Sequence, residues 1–269
     1  MSPPHGLPKE VSLESGKIER VLDEPMRGDA DDGGIVERLD SLVWTDIEAE
    51  LDAGGCARIA GLLSPAQCDA LVPLYAREEI FRSRVVMARH GYGRGEYRYF
   101  AYPLPQTVAL LRESFYPRLA PVADRWNEAL GVATRFPPRH AEFIRRCHDA
   151  GQVRPTPLML RYGEADYNCL HQDLYGEHVF PLQVAILLSD PGTDFTRGEF
   201  VMTEQRPRMQ SRPEVVDLRK GDAVVFAVHT RPVRGTRGTY RVNHRHGVSR
   251  LRSGRRYTLG VIFHDAQGW

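Results

Sequence analysis

No apolar run in this sequence approaches the roughly twenty residues that a membrane-spanning helix needs, and its four cysteines form no C-x-x-C pair or regular framework. The first absence argues against a helical membrane protein. The second argues against a secreted disulfide scaffold, so Cys56, Cys68, Cys147 and Cys169 are read as reduced core residues. The amino terminus is Pro- and acid-containing and lacks a charged-then-apolar leader. Internal repeats are also missing. A soluble, cytoplasmic protein is therefore expected. Its 269 residues, 42% of them hydrophobic, can build a substantial core without metal or disulfide support.

Net charge is nearly absent too, at +1, which argues against tight binding to long duplex nucleic acid. That figure conceals a polarity. Acids crowd the beginning (Glu10, Glu14, Glu19, Asp23, Glu24, Asp29, Asp31, Asp32), and arginines crowd the end, from Arg206 and Arg208 to Arg255 and Arg256. Most of these belong on a solvated surface, but a basic face could also meet a polyanion.

Composition divides the chain into three. Residues 1–38 have little hydrophobic periodicity and read as a disordered acidic tail. Residues 39–156 read as a helical support region and substrate lid. In it Thr45 and Gly54-Gly55 bracket a short helix. Residues 56–60 read as a short strand, and Ser64, Pro65 and Gln67 form a capping box for a helix running to about Glu78. Pro117 and Pro121 break the next helical stretch, and Gly151 ends another. Residues 157–269 carry short β-rich runs separated by turn residues such as Pro191-Gly192 and Lys220-Gly221. Helices followed by an antiparallel barrel give an α+β fold of jelly-roll type.

The stretch "YNCLHQDLYG" places His171 and Asp173 two residues apart, hence on one side of a strand. An imidazole and a carboxylate aimed at one point suit a metal ion, although H-x-D alone is weak. A second imidazole is available at His244 or His246, and Arg256 follows His246 by ten positions. Two histidines and a carboxylate on one face of a metal leave positions open for a bidentate 2-oxo acid and O₂. A nearby arginine fork would pair with a distal carboxylate.

The order of "HQD" at 171–173, "GEFVMT" at 198–203, "KGDAVVF" at 220–226 and "HGVSRLRSGRRYTL" at 246–259 resembles the Fe(II)/2-oxoglutarate-dependent dioxygenases, with prolyl-hydroxylase-like spacing. Over nearly everything after residue 40 the chain also looks like a bacterial family grouped with oxygenases acting on damaged nucleic acid. The resemblance implies a double-stranded β-helix, with Fe(II) on His171, Asp173 and His246. It also implies 2-oxoglutarate on Arg256 and Tyr162, and O₂ as oxidant. The Gly at +8 and Arg at +10 favour His246 over His244 as the ligand. His244 is then left to support the centre or face substrate. Asp222 reads as a turn residue.

The segment "RHGYGRGEYRYFAYPLP" mixes arginines with tyrosines, which can stack on bases and pair with phosphates; a packed loop covering the barrel mouth is an equal reading. Arg94, Tyr97 and Tyr99 are its candidate substrate-binding residues. The leading expectation is oxidative dealkylation of damaged bases, presented single-stranded or flipped. Hydroxylation of a protein side chain or free amino acid is the alternative. A non-oxidative zinc enzyme and a module that has lost catalysis are weaker, because Arg256 and the full ligand set are present.

Overall fold

Alternation with period two builds the molecule. The computed structural model describes residues 34–267. Seven strands form a large antiparallel sheet: β1 (Cys56–Ile59), β2 (Phe81–Val86), β4 (Glu96–Phe100), β5 (Leu158–Tyr162), β7 (Leu182–Leu187), β11 (Ala223–Ala227) and β15 (Arg256–Val261). Their order is β1-β11-β7-β15-β5-β4-β2. A smaller sheet runs β10-β9-β13-β6-β3, from β3 (Gly93–Arg94), β6 (Tyr167–His171), β9 (Phe200–Gln205), β10 (Arg212–Val216) and β13 (Gly238–Val248). A further strand, β12 (Thr230–Gly235), pairs with β13. A two-stranded ribbon of β8 (Phe195–Arg197) and β14 (Leu251–Gly254) accompanies them. The two sheets face one another as the jelly roll of a double-stranded β-helix.

Each central strand of the large sheet reads differently on its two faces. Val184 and Ile186, Val225 and Ala227, and Leu259 and Val261 join the core under the helices. Their alternates Gln183 and Ala185, Phe226, Arg256 and Thr258 line a cavity between the sheets. A shift of one residue in register would exchange the two sets, so register is strongly specified here.

The helices α1 (Ile35–Ser41), α2 (Trp44–Gly54), α3 (Pro65–Leu71), α4 (Gln106–Ala129) and α5 (His140–Asp149) contribute their buried faces to the core on the outer side of the large sheet. Most of the expected acidic tail lies outside the described residues, and the chain is helical from Ile35. Thr45 does not cap α2. The helix opens at Trp44, whose ring meets Phe115 edge-on at 6.2 Å and whose indole N–H donates to the Leu39 carbonyl at 2.9 Å. The capping box at Ser64 and Gln67 is formed, but α3 stops at Leu71. Pro73 has no N–H to extend the ladder, and 3₁₀ turns carry the chain to Ile80.

The expected break at Pro117 and Pro121 is absent, because α4 runs through both. They stand four apart with exposed Glu113 on the solvent face, where the freed carbonyls can be hydrated. Each interior proline costs about 3 kcal/mol. The fully buried Val108, Leu111, Phe115, Leu119, Val122 and Trp126 on the opposite face contribute about 2 kcal/mol apiece and outweigh that cost.

The Arg/Tyr segment also differs from expectation. Residues 96–100 are a strand inside the large sheet, between β5 and β2. Alternation sends Tyr97 and Tyr99 into the cavity, while Arg98 stacks over Tyr75, its guanidinium carbon 4.8 Å from the ring centroid.

Candidate metal centre

The small sheet brings the H-x-D motif and the distant histidine together. His246 on β13 is the register partner of His171 on β6, and their ring centroids are 4.3 Å apart. Asp173, just beyond β6, turns back between them: Oδ1 lies 3.5 Å from His171 Nε2 and Oδ2 lies 3.4 Å from His246 Nε2. One donor atom from each of the three falls within 4.8 Å of the others, close enough to share one ion. His171 Nδ1 is held by the Cys169 carbonyl at 2.8 Å, which leaves Nε2 for the centre.

Asp173 and His246 are buried, whereas His171 is partly exposed at the cavity mouth. Burial pushes the Asp173 carboxyl up. The hydrogen bond to His246 and the charges of both imidazoles outweigh this and hold it well below the usual carboxylate range. Burial, reinforced by His171, also holds His246 below the ordinary histidine value. An anionic carboxylate and a neutral imidazole are the ligand forms that a metal requires.

Behind the centre lies a cavity of about 230 Å³. Arg256 sits in its wall, 1% exposed, on β15 opposite Tyr162. Its Nη1 donates to Thr258 Oγ1, its Nε has no hydrogen-bond partner, and no carboxylate among the described residues pairs with it. Burial pushes its pKa down to about 10. The Tyr162 hydroxyl and Gln183 Oε1, in the same wall, are likewise buried without a well-formed hydrogen bond. A buried cation without an anion is costly, so the Arg256 guanidinium and the Tyr162 hydroxyl, both donors, fit a carboxylate ligand.

Two motif glycines are explained by close approach. A Cβ on Gly254 would lie 2.0 Å from the Asp194 carbonyl, and one on Gly198 would lie 2.5 Å from Leu251 and 3.3 Å from Arg256 Cδ. Both also hold positive φ, 79° and 72°. They let the β8/β14 ribbon close over the Arg256 side chain.

His171, Asp173, His246, Arg256, Tyr162, Tyr97 and Tyr99 thus all line one cavity. Arg94 does not: it is exposed, and its nearest carboxylate is Asp166 at 3.8 Å. Neither does His244. It is on the inward face of β13, as its spacing from His246 required, but it is buried at the far end of that face. There its ring fills the space left by the missing side chain of Gly55 and accepts from Arg231 Nε at 3.1 Å. Arg231 in turn pairs with Glu204.

Sequence reasoning missed Tyr175, Gln183 and Thr258. Tyr175 donates to Asp173 Oδ1 at 2.7 Å and accepts from the Tyr99 hydroxyl at 3.1 Å, which fixes the carboxylate. Its place two residues after Asp173 was the available signal. Asp222 accepts from Arg58, Gly61 N and Arg219 N, and so is a turn residue.

Residues 95–266 match the profile of a family described as an oxygenase catalysing oxidative methylation of damaged DNA. The chain belongs to that oxygenase family. The oxygenase is also 51% identical over 167 residues to uncharacterized proteins from two strains of Mycobacterium tuberculosis, covering 62% of this chain and 72% of theirs. Among solved structures it is similar to a Pseudomonas putida prolyl-4-hydroxylase (TM-score 0.48, 13% identity, 84% of this chain and 100% of that one). It is also similar to a Burkholderia pseudomallei oxidoreductase of the 2OG-Fe(II) oxygenase family (0.47, 16%, 85% and 95%). Two imidazoles and a carboxylate around one point can hold a single metal ion, and the buried guanidinium beside them can take a carboxylate. No helix among the described residues is long and apolar enough to cross a membrane.

Proposed function

We propose that this oxygenase removes alkyl groups from damaged nucleic-acid bases, with His171, Asp173 and His246 holding Fe(II) and Arg256 holding 2-oxoglutarate. The observation that carries the reading is the orphaned Arg256 guanidinium in the wall of the cavity that holds the three ligands. Its fork pairs with the distal carboxylate of the co-substrate, supported by Thr258 and the Tyr162 hydroxyl. When bound, iron and 2-oxoglutarate would activate O₂, the oxidant, for hydroxylation of a C–H bond, with 2-oxoglutarate oxidised to succinate and CO₂. On an N-methyl group, hydroxylation gives a hemiaminal that releases formaldehyde.

The chain's own residues bind, orient and exclude water. Tyr175 holds the Asp173 carboxylate, and burial and Asp173's charge keep the Tyr175 hydroxyl protonated as a donor. Tyr92, Tyr97 and Tyr99 give the cavity an aromatic wall on which a planar base can stack. A cavity of about 230 Å³ admits no duplex, so the base must be unpaired or flipped. Exposed Arg245, Arg250, Arg252 and Arg255 in the carboxy-terminal half favour a polyanionic substrate. The family's description points the same way.

The test is aerobic turnover with Fe(II) and 2-oxoglutarate on single-stranded and duplex oligonucleotides carrying N-methylated bases. Formaldehyde release with loss of one methylene from the oligonucleotide is expected, faster on single strands. Inactivity there, with gain of one oxygen on peptides or free amino acids, would instead establish the hydroxylase reading.

A further inference from the structure

A second cavity, of about 510 Å³, lies away from the metal centre, and no residue lines both. Its walls come from the α4–α5 connection, the segment after Asp173, and strands β12 and β13. The lining is strongly one-signed. Arg135, Arg146 and Arg241 reach it, and none has a carboxylate within ion-pair distance among the described residues. The acid in the lining, Glu177, pairs with none of them.

Two of the guanidinium groups are set in place by neutral groups, which fix geometry without cancelling charge. Arg146 Nη1 donates to the Arg135 carbonyl at 2.7 Å, and Arg135 Nη1 donates to the carbonyls of Val132 and Thr134 at 2.7 and 3.0 Å. His229 also lines the cavity. Trp126, Phe136 and Phe143, largely buried in the core, contribute aromatic atoms to the lining.

We propose that this cavity is a binding site for a nucleoside monophosphate, separate from the catalytic one. Several guanidinium groups around one space match a phosphate dianion better than a single carboxylate, because each fork can hold two oxygens. Aromatic atoms in the lining suit a planar ring. The proposal stands on this cavity alone and does not depend on what the iron centre oxidises.

The test is calorimetric titration of the full chain with adenosine monophosphate, under anaerobic conditions with Fe(II) and 2-oxoglutarate present so that the catalytic cavity is filled. One saturable site is expected, with inorganic phosphate and adenosine each binding at least about tenfold more weakly. The double variant Arg146→Ala/Arg241→Ala should weaken binding about a hundredfold, roughly tenfold per guanidinium. Its melting temperature should fall by no more than a few degrees, since neither residue is ion-paired and Arg146 gives up one carbonyl hydrogen bond. Three results would overturn the site: no saturable heat up to about 10 mM, affinity undiminished in the double variant, or phosphate binding as tightly as the nucleotide.

Discussion

Two buried arginines, on either side of the large sheet, have opposite surroundings. Arg112, on α4, is 2% exposed and fully answered: Nη2 meets Asp265 Oδ1 at 2.6 Å, Nε meets the Ile262 carbonyl at 2.8 Å, and Nη1 meets the Tyr102 hydroxyl at 3.0 Å. Arg256, on the inner face of β15, is 1% exposed and has one hydroxyl partner and no acid among the described residues. Asp265 and the Tyr102 hydroxyl outweigh the cost of burying Arg112 and raise its pKa, whereas burial lowers that of Arg256 to about 10. One arginine completes the fold. The other, in the function proposed above, is left for a ligand, and that difference separates structure from function more sharply than burial does.

Breaking each arginine should therefore produce opposite signatures. Arg112→Met leaves the buried Asp265 without its guanidinium partner, held by His148 and Tyr102 alone, and should cost about 3–5 kcal/mol in denaturant unfolding. The co-substrate KM of the folded fraction should be unchanged. Burial raises the Asp265 carboxyl, but Arg112 and the hydrogen bonds from His148 and Tyr102 hold it well below the ordinary carboxylate range. A depressed folded value means that this stabilisation is complete above pH about 4 and fades as pH falls through the folded value. The variant should lose that acid dependence, as read from unfolding free energy against pH. Arg256→Met removes an unpaired charge instead. Its stability should change by less than about 1 kcal/mol or improve, while the KM for 2-oxoglutarate rises about a hundredfold.

A smaller effect sharpens the same contrast within the cavity. Tyr175→Phe deletes the hydroxyl on Asp173 Oδ1 and should weaken Fe(II) binding about tenfold, read by metal titration, with the fold intact.

The two arginines also show what was legible in the sequence. Arg256 could be found because its motif is local: Gly254 must be glycine to pass the Asp194 carbonyl, and register then sets Arg256 across from Tyr162. Tyr97 and Tyr99 were legible as members of an Arg/Tyr-rich segment, but not as alternating residues of a strand, because the partner strand β5 lies about sixty residues away. The role of Arg112 was invisible, since its partner lies 153 residues away. His244 failed for the same reason. Its face on β13 was readable, but Gly55 and Arg231, which claim the ring, come from distant elements. The unbroken α4 depended on which side the prolines fell relative to a core that the sequence does not display.

The most direct test of the central claim is anaerobic addition of 2-oxoglutarate to the Fe(II)-loaded protein, watching for the visible charge-transfer absorption of an iron-bound 2-oxo acid. A saturable band is expected in the wild type. Arg256→Met should need about a hundredfold more co-substrate to reach it. Absence of the band in the wild type, or an unchanged half-saturation in Arg256→Met, would contradict the assignment of the buried guanidinium to the co-substrate.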